Sequence, residues 1–293
     1  MSKNLIDQLD AEAPVSVATD TGEEYRRAND LDGKDWTRYS ISIWNDVRWT
    51  KEESQLHHPA MFPTMLIERL IRCFTNHTET QILDPFMGSG STLVAAKNQG
   101  RQGIGFDIYE KYADLARQRL SQMHLYSGDI PEAVIHLADA RRMGLYLEPR
   151  SIDFCVTSPP YWDILTQKRS ADYKDTRNYG DSTDDLGLIE SYEQFLGELV
   201  EVFRGVHTAL KPGKYCIVNV MDLRKKSTFF PLHSDLSTRM QQIGFALDDI
   251  IIWDRRHEYN NLRCLGFPYV FRVNKIHEYL LIFQKPKGHV LET

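Results

Sequence analysis

The chain has 293 residues, 42% of them hydrophobic, enough for one large core or two small ones and too apolar for a chain disordered throughout. No early stretch joins a basic start to an apolar run, and none approaches the ~18 apolar residues that span a bilayer, so a cytoplasmic protein without a membrane partner is expected. The formal charge of −6 argues against nucleic acid only until it is divided: residues 1–35 carry nine acidic and four basic side chains, whereas Lys211 to Lys287 carries thirteen basic against seven acidic. Phosphate contacts need local positive charge, which the last third supplies. Cys73, Cys155, Cys216 and Cys264 lie far apart without metal-ligand spacing, so reduced thiols and no metal are expected.

Residues 1–35 are polar and acidic without periodicity, the composition of a disordered arm; 36–287 read as a single domain, and 288–293 as a tail. Tyr39 to Trp44 is a β-rich run, and Met65, Leu66, Leu70, Ile71 and Phe74 have the spacing of an amphipathic helix. Gln81 to Asp84 reads as a short strand entering a Gly/Ser turn, and Thr92 to Asn98 as the helix leaving it. Gly103 to Ile108 is the next strand and Glu110 to Met123 the next helix; Val134 to Ala138 and Ile152 to Thr157 are further buried strands. A long helix from about Ile189 to Leu210 has Ser191 and Gln194 in capping-box spacing and ends at Lys211-Pro212-Gly213. Tyr215 to Val220, Ala246 to Trp253 and Ile276 to Phe283 follow as strands, with one helix near Leu236 to Gln242. This alternation predicts an α/β, Rossmann-like, seven-stranded sheet with helices on both faces and an antiparallel edge hairpin made by the last two strands.

In an open α/β sheet a ligand lies at the carboxyl ends of the strands, where this order places Asp84-Pro85-Phe86-Met87-Gly88-Ser89-Gly90-Ser91-Thr92. Gly88 and Gly90 let backbone pass close to a ligand. The segment lacks the lysine of a Walker loop and the third glycine of a dinucleotide fingerprint, so an adenosine bearing a methionine chain suits it better than a nucleoside polyphosphate. Asp107, followed by Ile108, ends the next strand, where a carboxylate can accept ribose hydroxyls. Asp139, followed by Ala140, stands where it could accept from an adenine amino group; for each the plain alternative is a helix N-cap or a solvated loop acid. Ser158-Pro159-Pro160-Tyr161-Trp162 follows the fourth strand, beside the glycine loop.

Together these segments resemble the amino-methylating DNA methyltransferases, whose cofactor loop reads Asp-Pro-Phe-x-Gly-Ser-Gly and whose upstream helix begins His-x-x-x-Phe-Pro, matched here by His58, Phe62 and Pro63. The resemblance covers about residues 36 to 287 and implies S-adenosyl-L-methionine as cofactor. It assigns His58, Phe62 and Pro63 to the methionine end, and Asp84, Pro85, Phe86, Gly88, Ser89, Gly90, Thr92, Asp107, Ile108, Asp139 and Ala140 to the rest of the cofactor site. The catalytic loop is then Ser158, Pro159, Pro160 and Tyr161. A base amino group is a poor nucleophile because its lone pair is delocalised into the ring; a side-chain oxygen at 158 and a carbonyl at 159 can accept its hydrogens and localise that pair for direct transfer. Tyr161 offers a stacking face for a flipped base, and Trp162 a second one. Serine at 158 resembles the cytosine-N4 enzymes, with adenine N6 open as the alternative. Cytosine-C5 chemistry is excluded, because no Pro-Cys dipeptide supplies its nucleophile.

The order of methionine-end segment, glycine loop and catalytic loop is a circular permutation of the family's commoner arrangement. It leaves three loops to read DNA, 163–185, 222–231 and 255–275. Their basic residues are Lys168, Arg169, Lys174 and Arg177, then Arg224, Lys225 and Lys226, then Arg255, Arg256, Arg263 and Arg272, set among aromatic rings. Expected partners are DNA, a second copy of the chain that adds recognition surface, and a cognate restriction endonuclease. An RNA base amino-methyltransferase and a non-catalytic DNA-binding subunit are the competing readings.

Overall fold

Alternating runs of buried apolar residues build the chain into strands and helices within the residues that the computed structural model describes: 27–55, 61–123, 131–165, 180, 182–258 and 264–288. In chain order they are α1 (Gly33–Tyr39), β1 (Ile43–Trp44), α2 (Lys51–Gln55), α3 (Thr64–Phe74), β2 (Gln81–Asp84), α4 (Ser91–Asn98), β3 (Gln102–Asp107), α5 (Glu110–Ser121), β4 (Val134–Leu137), β5 (Ile152–Thr157), α6 (Tyr192–Ala209), β6 (Leu210–Val220), β7 (Leu223–Lys225), β8 (Thr228–Phe230), α7 (Leu232–Gln242), β9 (Ala246–Asp254) and β10 (His277–Gln284). The main sheet has the order β1-β9-β10-β6-β5-β2-β3-β4, and β7 with β8 forms a separate ribbon.

The sheet is the expected Rossmann-like one, with two differences. The antiparallel pair lies inside it: β10 runs antiparallel to both β6 and β9, and β1 lies outside β9, parallel to it, as an eighth strand. Of the β-rich run Tyr39 to Trp44 only Ile43–Trp44 is strand, Tyr39 ending α1; Trp44 pairs with Trp253, and both rings are buried. The second difference concerns the arm expected over residues 1–35. From residue 27 it is packed: Leu31 and Asn29 are buried, Asn29 Nδ2 donates to the Cys73 carbonyl at 2.8 Å, and Asp32 caps α1 through the Asp35 amide at 2.7 Å. Elsewhere the boundaries moved little. Ser191 Oγ accepts from the Gln194 amide at 3.3 Å to start α6, while β6 begins directly after it and absorbs Lys211-Pro212-Gly213.

Helices cover both faces. On one, α3 and α4 bury Leu66, Ile67, Leu70, Ile71, Ala95 and Ala96 against Ile82, Phe154 and Val156; on the other, α6 and α7 bury Phe195, Leu199, Phe203 and Leu236 against Cys155, Val218 and Leu281. An 11-residue helix such as α3 is marginal alone, so its stability comes from this packing, about 1.5–3 kcal/mol for each fully buried Leu or Ile.

From β2 the chain winds outward through β3 to β4, then crosses back to β5 and winds the other way to β6. The order therefore reverses between β2 and β5, and the loops leaving their carboxyl ends diverge. That reversal opens the crevice in which doubly wound sheets bind ligands.

Candidate active site

A cleft opens at this reversal. Its walls come from the loop after β2 (Pro85, Phe86 and Gly88), the end of β3 through the first turn of α5 (Asp107, Ile108, Tyr109 and Tyr112), the segment after β4 (Ala138, Asp139 and Ala140), and the loop after β5 (Ser158 and Pro160). Asp184, Asp185 and Leu186 close it from the chain ahead of α6. The glycine loop, both acidic strand ends and the catalytic loop thus meet in one place. Flat apolar surfaces of Phe86, Ile108, Pro160 and Leu186 suit a purine, and a carboxylate at the end of β3 suits a ribose diol. Four carboxylates in one cleft disfavour a polyphosphate and favour a ligand bearing positive charge. The residues fit an adenosyl sulfonium.

Asp107 accepts from the Tyr109 amide at 2.8 Å and the Gly88 amide at 3.1 Å, which ties the glycine loop to β3. Burial pushes its carboxyl up to about 7. Asp139 does what an N-cap does: it accepts from the Arg141 amide at 2.9 Å and pairs with the Arg141 guanidinium at 2.7 Å, while still lining the cleft. Arg141 in turn reaches Glu198 at 2.6 Å, and these carboxylates hold its guanidinium well above its ordinary value.

Six residues expected at the cofactor take structural positions and are not among those lining the cleft. Asp84 is fully buried; its carboxylate accepts from Thr92 Oγ1 at 2.5 Å, Thr157 Oγ1 at 2.6 Å and the Phe86 amide at 3.0 Å. It therefore joins the ends of β2 and β5 to the start of α4 and sets the residue before Ser158. Burial raises its carboxyl to about 6. Ser89 and Thr92 are buried too, and Ser89 takes a hydrogen bond on its carbonyl from Arg119 at 2.8 Å. Phe62 packs in the core beneath α3, and Pro63 caps that helix. Gly90 precedes α4 with φ of 78°, and a Cβ there would meet Ala116 Cβ at 2.6 Å, so α5 can approach only a glycine. His58 lies outside the described residues.

The loop that carries Ser158 and Tyr161 stands on a buried polar network that the linear pattern did not show. Ser158 Oγ lies 3.2 Å from the Tyr161 hydroxyl, which donates to Glu278 Oε2 at 2.9 Å. Asn219 Nδ2, from β6, reaches Tyr161 at 3.1 Å and the same Glu278 oxygen at 2.5 Å. Glu278 Oε1 accepts from Arg255, which also binds Glu258 at 2.6 Å. Asn219 is a single polar residue among the apolar residues at the end of β6, a signal of buried pairing; Glu278, next to His277 at the start of β10, gives no such signal.

Several residues nominated for DNA are committed elsewhere. Trp162 has φ of 51°, which turns its ring into the core; Nε1 donates to the Ile189 carbonyl at 2.8 Å, and Tyr192 and Phe230 pack edge-on. It is no stacking surface. Lys225 pairs with Asp163 and covers the Trp162 ring, and Arg255 belongs to the buried network. Arg224, Lys226 and Arg256 are exposed, Arg272 is half-buried, and all four lie in connections at the carboxyl edge. Arg256 is paired with Asp254 at 2.7 Å. Beside Arg272, Phe267, Tyr269 and Phe271 are almost wholly in solvent. Lys168, Arg169, Lys174, Arg177 and Arg263 lie outside the described residues.

Comparison with known proteins bears on this arrangement. The profile of a family described as DNA methylase, of N6/N4 type, matches residues 11–118 and 152–292. The Type II methyltransferase M2.DpnII of Streptococcus pneumoniae is 48% identical over 108 residues, 33% of this chain and 40% of that protein. M.ScaI of Streptomyces caespitosus is 48% identical over 63 residues, 22% of this chain and 20% of that protein. These matches span less than half the length of those relatives. TTHA0409 of Thermus thermophilus, solved with S-adenosyl-L-methionine, is 30% identical over 53% of this chain and 56% of that one, at a TM-score of 0.37. No helix among the described residues is long and apolar enough to cross a membrane. With the family profile matched across both the glycine loop and the catalytic loop, the chain belongs to the N6/N4 DNA methylase family.

Proposed function

We propose that the protein transfers a methyl group from S-adenosyl-L-methionine to the exocyclic N4 amino group of cytosine in DNA, directly, with the base flipped out of the duplex. The observation that carries the reading is that Ser158 and Pro160 line the same cleft as Asp107, Ile108 and Gly88, so acceptor and cofactor walls face one space. When bound, the cofactor supplies an electrophilic methyl on a positively charged sulfur, to which a cleft rich in carboxylates is suited. Ser158 Oγ and the Pro159 carbonyl accept hydrogen bonds from the two amino hydrogens and localise the nitrogen lone pair, and the methylated nitrogen then gives one proton up to solvent. Pro159 and Pro160 keep the loop rigid and bring no amide hydrogen that would compete. The Tyr161 ring, its hydroxyl anchored, is held for stacking. Serine at 158 supports cytosine over adenine. In this reading DNA lies along the edge that carries Arg224, Lys226, Arg256 and Arg272, and a second copy of the chain and a cognate restriction endonuclease are further partners.

Labelled methyl transfer to unmethylated DNA and to RNA, followed by nucleoside analysis, tests it. N4-methylcytosine from DNA alone is expected. N6-methyladenine as the only product would replace cytosine with adenine, and methylated RNA alone would overturn the DNA reading. Ser158→Ala should lose transfer while its cofactor affinity stays within about twofold, since the serine meets the base.

A further inference from the structure

The network beneath the catalytic loop fixes the direction of a hydrogen as well as a position. Tyr161 has one hydroxyl hydrogen, and Glu278 Oε2 at 2.9 Å is a carboxylate oxygen with none to give, so that hydrogen points at the glutamate. The tyrosine oxygen can then only accept. Asn219 Nδ2 donates to it at 3.1 Å, and the remaining neighbour, Ser158 Oγ at 3.2 Å, must donate as well. The serine hydrogen is thereby turned inward, and Ser158 presents lone pairs to the cleft. That is the state needed to receive an amino hydrogen.

We propose that Glu278 is a positioning residue that, through Tyr161, holds Ser158 as a hydrogen-bond acceptor and so selects a base bearing an amino group over one bearing a keto group. The role stands on the methyltransferase reading above. Two further observations support it. Glu278 and Asn219 are almost fully buried, and a buried carboxylate is costly to desolvate before Arg255 offsets it; apolar residues there would serve stability at least as well. Asn219 Oδ1 has no hydrogen-bond partner among the described residues, so the network is built around its donors and leaves an acceptor spare.

Glu278→Gln makes the test directional. The Arg255 guanidinium only donates, so it draws the new amide oxygen and leaves the amide nitrogen toward Tyr161, with Asn219 turning over to present its spare oxygen. The Tyr161 hydrogen then has two acceptors, the turned Asn219 Oδ1 and Ser158 Oγ, and whenever it goes to Ser158 the serine's own hydrogen swings into the cleft. Tyr161→Phe removes the hydroxyl and frees the serine to rotate. With S-adenosylhomocysteine present, duplexes carrying the mapped target base or its keto counterpart (uracil for cytosine, hypoxanthine for adenine) are titrated with the full chain, and the ratio of affinities is compared across variants so that base-pair strength cancels. Relative to wild type, the preference for the amino base should fall about tenfold in Tyr161→Phe and fall also in Glu278→Gln. Ratios unchanged in both variants overturn the proposal. Should a thermal melt show that Glu278→Gln does not fold, Tyr161→Phe decides alone, since it leaves the pair of Glu278 with Arg255 in place. A wild-type chain that methylates DNA while Tyr161→Phe keeps its ratio overturns this inference only; a wild-type chain that transfers nothing to DNA overturns the reading beneath it as well.

Discussion

If Asp107 receives the cofactor's ribose, as the proposed reading has it, its carboxyl sets how cofactor binding responds to pH. Burial pushes its carboxyl up to about 7, against the pull of the Tyr109 and Gly88 amides and with added repulsion from Asp84 and Asp185. A ribose diol donates to the ionised form, so the free protein must lose that proton to bind the adenosine, and affinity is complete only above about pH 7. As the pH falls below that value the affinity should drop by up to about tenfold per unit. Calorimetric titration with S-adenosylhomocysteine between pH 5.5 and 8.5 measures this, at concentrations where the protein stays folded. Asp107→Asn should bind more weakly at pH 8 and lose the dependence; a variant that keeps the same slope would place the titrating group elsewhere.

At the scale of elements, the connections after β5 and β9 separate rings that hold the fold from rings free to meet DNA. Trp162 lies in the core with Tyr192 and Phe230, so Trp162→Ala should cost about 3–5 kcal/mol of stability, read from a denaturant titration. Tyr269→Ala and Phe271→Ala remove rings that solvent already surrounds; stability should change by no more than about 0.5 kcal/mol while DNA affinity falls. Stability losses in the reverse order would exchange the two roles. The contrast also marks what the sequence made legible. β2, β3 and β5, with the glycine and catalytic loops at their ends, could be read directly, because burial and turn chemistry are local. A ring that a positive φ at residue 162 turns inward is not local. Neither are the partners of Lys225 and Arg255, which stand 62 and 23 residues away at Asp163 and Glu278. Asp84 resembled a ligand-binding acid for the same reason, since Thr157, 73 residues on, is what claims its carboxylate.

For the whole molecule, a net charge of −6 repels DNA at long range, so in the proposed reading binding draws on local cations; among the described residues at the carboxyl edge, Arg224 and Lys226 meet no carboxylate. Arg224 and Lys226, on the β7 and β8 ribbon, are exposed; Arg224 lies over the Phe229 ring and gives one hydrogen bond to the Ser227 carbonyl, which leaves most of its donors outward. Arg256 is already met by Asp254 and should count for less. Each phosphate contact releases counterions, so the logarithm of the binding constant should fall linearly with the logarithm of salt concentration, with a slope near −0.9 per contact. Arg224→Gln and Lys226→Gln should each make that slope shallower by about 0.9 and weaken binding to specific and unrelated duplexes alike, whereas Arg256→Gln should move it by less than half as much. Fluorescence anisotropy across about 50 to 300 mM salt reads all three slopes. If Arg224→Gln and Lys226→Gln keep the wild-type slope, DNA does not follow this ribbon, and the phosphate contacts belong to another of the loops at this edge.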